Sequence, residues 1–255
     1  MKKFICSLLI SMAALSGAHA AGGGIVWDKF PQEKSTDVAA LQSGAKTFVN
    51  YCLNCHNAAF MRYNRLRDID LTEAQIKSSL MFVTDKVGDT MKVPLDPKDA
   101  KDWLGVVPPD LTLIARSRSS SQGSGSDYLY TFLRTFYRDE TKPTGWNNLA
   151  YPNAAMPHVL WQWQGQRAAK FVDEKDPHDE ARTIHKFEGF ETLTKGTMDQ
   201  QEFDESIANL VAYLNWMGEP GQGTRTRLGV WVLLFLSVFI VIAWRLNAAF
   251  WKDIK

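Results

Sequence analysis

The sequence predicts a mostly α-helical domain with long loops, joined to one carboxy-terminal transmembrane helix. Three observations predict it. Apolar residues recur at helical spacing through residues 38–52 and 199–216. No segment shows a convincing strand alternation, and there is no internal repeat. Residues 228–244 form an uncharged, mostly apolar run of 17. The 255 residues are enough for one sizeable domain or two small ones. Apolar content of 45% and charged content of 22% are ordinary for a folded protein. A net charge of +1 points to neither nucleic acid nor an acidic substrate.

Residues 1–20 read as a secretory signal peptide. Met1-Lys2-Lys3 is the charged start, residues 4–15 are largely apolar, and Ala18-His19-Ala20 is a small-x-small cleavage site. The alternative, an uncleaved anchor, needs a longer run. Residues 21–34 have no clear period and begin Gly22-Gly23-Gly24, so an irregular arm is expected. Ser35, Thr36 and Asp37 offer an N-cap. Val38, Leu41, Ala45, Phe48, Val49 and Cys52 then form one helical face.

Residues 61–66 suit a loop or short helix. Residues 71–83 read as helical, with Thr72 near the start. Residues 84–110 carry Pro94, Pro97, Pro108 and Pro109 and read mainly as loop. A short helix begins in 111–115. The Ser/Gly tract 117–126 reads as a flexible surface loop. An aromatic helix is expected over 127–137, with Tyr128, Phe132 and Phe136 at i, i+4 and i+8. Residues 139–165 lack a period and contain Pro143, Pro152 and Pro157, and 173–180 are acidic and solvated. In 199–216, Phe203, Ile207, Leu210, Val211 and Leu214 share a face, and Gly218 and Pro220 end the helix.

The apolar run extends to Trp251 if Arg245 snorkels. Its 24 residues would span roughly 36 Å, against a bilayer core of about 30 Å. Trp231, Trp244 and Trp251 suit the interfaces. A buried core helix would have to hide Leu, Val, Ile and Phe on every face. The expected organisation is a signal peptide at 1–20, an exported domain at 21–224, an anchor at 225–251 and a cytoplasmic tail at 252–255. Lys252 and Lys255 follow the positive-inside tendency, whereas Arg225 and Arg227 oppose it. Seven of the 29 basic and one of the 28 acidic residues lie in the two ends. The exported body therefore holds 22 basic and 27 acidic residues, a net charge of −5.

Cys52-Leu53-Asn54-Cys55-His56 carries the chemistry. Cys-x-x-Cys-His is the attachment pattern of a c-type haem. Each thiol can add to a vinyl group of the porphyrin, and the adjoining imidazole can bind the iron. A redox dithiol would call for alternating strands and helices, and a zinc site for two more nearby ligands. Cys6, the only other cysteine, lies in the signal region. Export agrees with the haem reading, because covalent haem is attached outside the bacterial cytoplasm.

His56 supplies one axial position. The sixth ligand separates electron transfer from gas binding. The candidates are Met61, Met81, Met91, Met156, Met198 and Met217, or His158, His178 and His185. Met61 is too close to the attachment helix to reach the other haem face readily. Met198 and Met217 bracket the last soluble helix, where Met usually packs. Met156 sits between Pro152 and Pro157 in a constrained stretch, with His158 its nearest rival. From composition alone, packing is the commoner role for Met156 too. A Met/His iron has no open site, exchanges one electron and performs no bond chemistry.

The chain resembles the cytochrome c1 family over essentially its whole mature length. The motif is common to all c-type cytochromes. More selective are Pro108-Pro109-Asp110-Leu111, Ile114-Ala115-Arg116-Ser117-Arg118, Asp127-Tyr128, Pro143-Thr144-Gly145, Ala155-Met156-Pro157, Thr197-Met198 and Glu219-Pro220. The resemblance implies a cytochrome c-like domain with one covalent haem c, with Cys52 and Cys55 as attachment points and His56 and Met156 as metal ligands. It also implies Arg118, Tyr128 and Arg116 near the haem propionates, where charge-assisted pairing would offset carboxylate burial. Without it, either arginine could equally be a solvated surface residue. The loop at 119–126 leaves the register between Arg118 and Tyr128 open.

The resemblance implies an electron-transfer subunit of the cytochrome bc1 complex, catalysing nothing by itself. Its haem domain would lie on the periplasmic side of a bacterial inner membrane. It would take electrons from a Rieske iron–sulfur protein beside cytochrome b, and pass them to a soluble or membrane-bound cytochrome c. The acidic body could steer a basic carrier. The rivals are the tethered haem subunit of another complex such as a terminal oxidase, an open-iron ligand-binding protein, and an assembly module with an incidental motif.

Overall fold

The structure is a computed structural model, and it describes residues 25–252 except 94, 177 and 178. The signal peptide expected at 1–20, Gly22-Gly23-Gly24, Pro94, His178 and the tail beyond Lys252 lie outside the described residues.

Helix α1 (Val38–Thr47) starts at Asp37, whose carboxylate accepts the Ala39 N–H at 3.0 Å. It tightens into a π-helical turn, Phe48–Cys52. Strand β1 (Ala58–Arg62) leads into a 3-10 segment, Tyr63–Ile69, where a loop or short helix was expected. Helix α2 (Glu73–Ser79) begins with a Thr72–Gln75 capping box but is shorter than the 71–83 expected. Strand β2 (Thr90–Met91) pairs antiparallel with β1.

Three expectations are corrected in the middle of the chain. Helix α3 (Pro97–Leu104) lies inside the stretch read as loop, because Pro97 follows the Asp96 cap. Proline there starts a helix, since the N–H it lacks would have no helical partner. After α4 (Ile114–Ser117), much of the tract read as a flexible loop is ordered. Ser124 caps α5 (Gly125–Arg134) in a box with Asp127, and Gly125 and Ser126 are buried. A Cβ on Gly125 would lie 1.9 Å from the Ala115 carbonyl oxygen. Finally, the aromatic helix ends at Arg134. Phe136 belongs to strand β3 (Phe136–Arg138), paired with β4 (Trp146–Asn148).

Helix α6 (Trp161–Gln164) precedes a long antiparallel ribbon, β5 (Gly165–Asp176) and β6 (Asp179–Lys195). No strand was expected there. Phe171, Val172 and Leu193 are exposed, so the ribbon needs no one-sided apolar alternation. It is held by its ladder and by cross-strand pairs such as Lys170–Glu191 at 3.2 Å and Glu174–Lys186 at 3.1 Å. Arg167 ties its base to the body, donating to the Phe136 carbonyl at 2.9 Å.

Helix α7 (Gln200–Gly218) is the centre of the core. Asp199 and Glu202 form its capping box, and all five residues expected on its inner face are buried. Ala208, Ala212, Tyr213, Trp216 and Met217 are buried as well, because α1, α4 and α5 pack around it. At Gly44 the α1 backbone lies so close to α7 that a Cβ would sit 2.0 Å from the Asn209 carbonyl oxygen. The amino-terminal arm is irregular, but it is stitched across α5. The Phe30 N–H donates to Asp127 at 2.9 Å and the Asp28 N–H to Thr131 at 2.8 Å. Helix α8 (Gln222–Phe250) buries none of its residues against the chain, and is long and apolar enough to cross a membrane.

Candidate haem site

The attachment turn is fixed from below. Phe48, Val49 and Leu53 are buried, and Tyr51 meets Trp163 edge-on at 4.7 Å. The Leu53 N–H reaches back to the Phe48 carbonyl at 3.0 Å, and the N–H groups of Cys55 and His56 both donate to the Cys52 carbonyl. Two thiols and an imidazole therefore leave one tight turn of backbone. Both cysteines are free and half-buried. Burial, followed by the neighbouring Cys55, pushes the Cys52 thiol up to about 12.

His56 Nδ1 lies 2.8 Å from the Pro109 carbonyl oxygen. A carbonyl only accepts, so Nδ1 carries the proton and Nε2 keeps its lone pair for a metal. Burial lowers the His56 pKa, while the Pro109 carbonyl and Asp110 oppose that shift. The segment bearing Pro109 is laced to the turn. Asp110 accepts the Ala59 N–H at 2.7 Å and the Thr112 N–H at 2.8 Å. The Leu111 N–H donates to the Asn57 carbonyl at 2.8 Å. This role of Pro109 and Asp110 was not read from the sequence, although the Pro-Pro-Asp-Leu segment was its visible signal.

Met156 is half-buried on a loop without regular structure, packed against the core. Two asparagines hold that loop. Asn148, 0% exposed, accepts the N–H groups of Ala150 at 2.9 Å and Tyr151 at 3.0 Å, and donates to the Phe132 carbonyl at 2.7 Å. Asn147 accepts from Asn148 N at 2.9 Å and Asn153 N at 2.8 Å. Asn153 itself takes a left-handed conformation, with φ of 63°. Neither scaffold asparagine was singled out in the sequence, since nothing in a non-periodic stretch marks which amide turns inward.

The other ligand candidates among the described residues lie in the core or on the ribbon. Met61, Met81, Met91 and Met217 are buried in the core. The Met198 sulfur accepts from Ser206 Oγ at 3.6 Å. His158 is 3% exposed, and its ring stacks on Phe136 at 5.0 Å, with Trp146 edge-on at 5.2 Å. Burial lowers its pKa to about 3. His185 is exposed on the ribbon, 2.5 Å from Asp173.

Arg118 and Tyr128 are brought together, with the guanidinium 5.7 Å from the ring centroid. Burial raises the Tyr128 pKa, Arg118 lowers it and Tyr151 raises it, so the Met156 loop also reaches this group. Arg116 is not part of it. Its guanidinium pairs with Glu219, at the end of α7. Residues two apart on a helical turn point roughly 200° away from each other, so Arg116 and Arg118 face different neighbours.

The cytochrome C1 family model matches residues 27–254. This chain belongs to that family. Over all 255 residues it is 41% identical to an ammonia monooxygenase gamma subunit of Nitrosomonas europaea, covering 99% of that protein. It is 38% identical over the same length to cytochrome c1 of Allochromatium vinosum, covering all of it. Cytochrome c1 of Rhodospirillum rubrum is 28% identical over 86% of this chain and 83% of its own length. As a cytochrome C1 protein, the chain is a haem electron-transfer subunit anchored to a membrane, and α8 fits a single pass. The donor set fits haem: two free thiols, an imidazole with Nε2 available and a half-buried thioether. Among the described residues no cluster of three His, Cys, Asp or Glu offers a competing metal site.

Proposed function

We propose that this protein holds one haem c covalently through Cys52 and Cys55, with His56 and Met156 as axial ligands. It relays single electrons from a Rieske iron–sulfur protein to a soluble or membrane-bound cytochrome c, within a quinol–cytochrome c reductase beside cytochrome b. The domain at 21–224 lies on the periplasmic side of a bacterial inner membrane. Residues 225–251 cross it, and the tail at 252–255 is cytoplasmic. The signal peptide and Lys252 and Lys255 support this orientation.

The observation that carries the reading is the His56–Pro109 hydrogen bond. It holds the proton on Nδ1, leaves the Nε2 lone pair free for a metal and would raise the basicity of that nitrogen. Bound haem supplies reversible one-electron exchange at its iron. Met156 would hold the iron as its second protein ligand and so leave no open site, and the Asn147 and Asn148 hydrogen bonds tie down the loop that carries it. Arg118, paired with Tyr128, offers the positive charge a propionate needs. Val106, Val107 and Leu113 flank the Pro109 segment in sequence and are about half exposed, apolar surface that a flat macrocycle would remove from water.

Two measurements test this. Ferric haem bound by methionine sulfur absorbs in the near infrared, and Met156→Ala abolishes that band. An intact band refutes the ligand assignment. Purification in mild detergent recovers cytochrome b and an iron–sulfur protein. Recovery of an oxidase core, or of ammonia monooxygenase subunits as the Nitrosomonas relative's name suggests, would replace the assembly proposed here.

A further inference from the structure

Where α8 leaves the body, a cleft of about 800 Å³ opens between α4, the end of α7 and the first turns of α8. Its charged lining is three arginines and one glutamate. Arg116 from α4 and Arg225 from α8 both bind Glu219, the latter at 2.5 Å. One carboxylate is thus shared by two guanidinium groups, whose side chains remain 56% and 65% exposed. Arg227 adds a third positive charge, so the lining carries a net charge of +2. Ser119 and Ser124 add hydroxyls on the body side. On the other side the wall continues to Val230, inside the apolar run. From Arg225 to Val230 the helix rises about 7.5 Å, the distance from a head group to the first acyl carbons.

Arg225 and Arg227 are also the two residues that run against the positive-inside tendency. Basic residues on the exported flank of an anchor call for a local reason. A phosphate diester supplies one, since guanidinium groups bind its oxygens in pairs and, among the described residues, Glu219 is the one acid lining the cleft against three arginines.

We propose that this cleft binds the phosphate head group of one anionic phospholipid from the outer leaflet, with an acyl chain lying along α8 past Val230. The lipid joins Arg116 of the haem domain to Arg225 and Arg227 of the anchor, and so sets how the domain stands on the membrane. The occupant is a lipid and not free phosphate, because the apolar end of the cleft lies at bilayer depth. The inference rests on α8 spanning the membrane with the body outside.

The test uses full-length haem-loaded protein in neutral detergent, with native mass spectrometry as the readout. With phosphatidylglycerol, one lipid per chain is retained. With phosphatidylcholine, retention falls about ten-fold. Arg116→Gln, Arg225→Gln and Arg227→Gln combined bring phosphatidylglycerol down to that level, while Arg245→Gln at the far end of α8 leaves it unchanged. Equal retention of the two lipids overturns the proposal without any variant. So does full retention by the triple variant with its haem spectrum intact. Displacement of the lipid by millimolar inorganic phosphate, with phosphate itself then bound, makes this a free-anion site and also overturns it. Alkaline carbonate extraction separates the two levels of failure. A chain released from membranes refutes the anchor itself, and a retained chain with no lipid preference refutes only the lipid site.

Discussion

Asn148→Ala is the sharpest probe of how the Met156 loop is held. The side chain accepts from the N–H groups of Ala150 and Tyr151 and from Thr135 Oγ1 at 3.3 Å, and it donates to the Phe132 carbonyl. Each such bond contributes about 1 kcal/mol net, and a buried carbonyl left without a donor costs about 1–3 kcal/mol. The Ala150 and Tyr151 amides are near solvent and recover part of their loss through water, so about 3 kcal/mol is expected. Much of that loss falls on the loop, whose opening should become about a hundred-fold more populated. On the proposed ligation, an outside ligand would reach ferric iron only when Met156 swings away. Cyanide affinity should therefore rise about a hundred-fold and the near-infrared methionine band weaken, while the melting temperature falls by about 6–12 °C. Asn50→Ala is the control. Asn50 is exposed and, among the described residues, its side chain donates only to the Lys46 carbonyl, so its loss should change stability by about 0.5 kcal/mol or less. Unchanged cyanide affinity with the band intact in Asn148→Ala would refute the scaffold reasoning, even if the melting temperature drops.

Three further outcomes are expected. Gly44→Ala forces a Cβ against the Asn209 carbonyl and Tyr213, so chemical denaturation should show a loss of about 3 kcal/mol from overpacking. The Asp127 carboxyl is opposed by burial, but the Phe30 and Ser124 amides and Lys29 outweigh it and hold its pKa below the usual range. Its contribution is therefore complete above the unfolded value of about 3.9 and is lost as pH falls through the lower folded value. The stability gap between wild type and Asp127→Asn should stay constant near neutrality and close in acid; a gap that widens in acid contradicts the sign. Last, the net charge of −5 on the body predicts that reduction of a basic carrier slows as salt rises, measured by stopped flow. A salt-independent rate removes the steering idea.

Helix α7 was legible because burial repeats at helical spacing and Asp199 marks the start. The ribbon was not, because a two-sided exposed hairpin carries no alternation for the eye to find. The serine tract misled for a related reason. Ser124 reads as linker composition until Asp127 is seen to complete its capping box. Pro97 likewise reads as a breaker until Asp96 makes it a first helical residue.

The sequence by itself determined whatever rests on neighbours in the chain. Cys52, Cys55 and His56 lie within five residues of one another, so their shared turn follows from spacing. The anchor follows from length and composition alone. Only the tertiary structure decided which distant groups meet. The carbonyl that orients His56 is 53 residues away, the bond from Asn148 to Phe132 crosses 16, and Arg116 meets Glu219 across 103. Such contacts depend on how helices cross and which way each backbone carbonyl turns. A pattern of side-chain types along one strand of chain does not encode either.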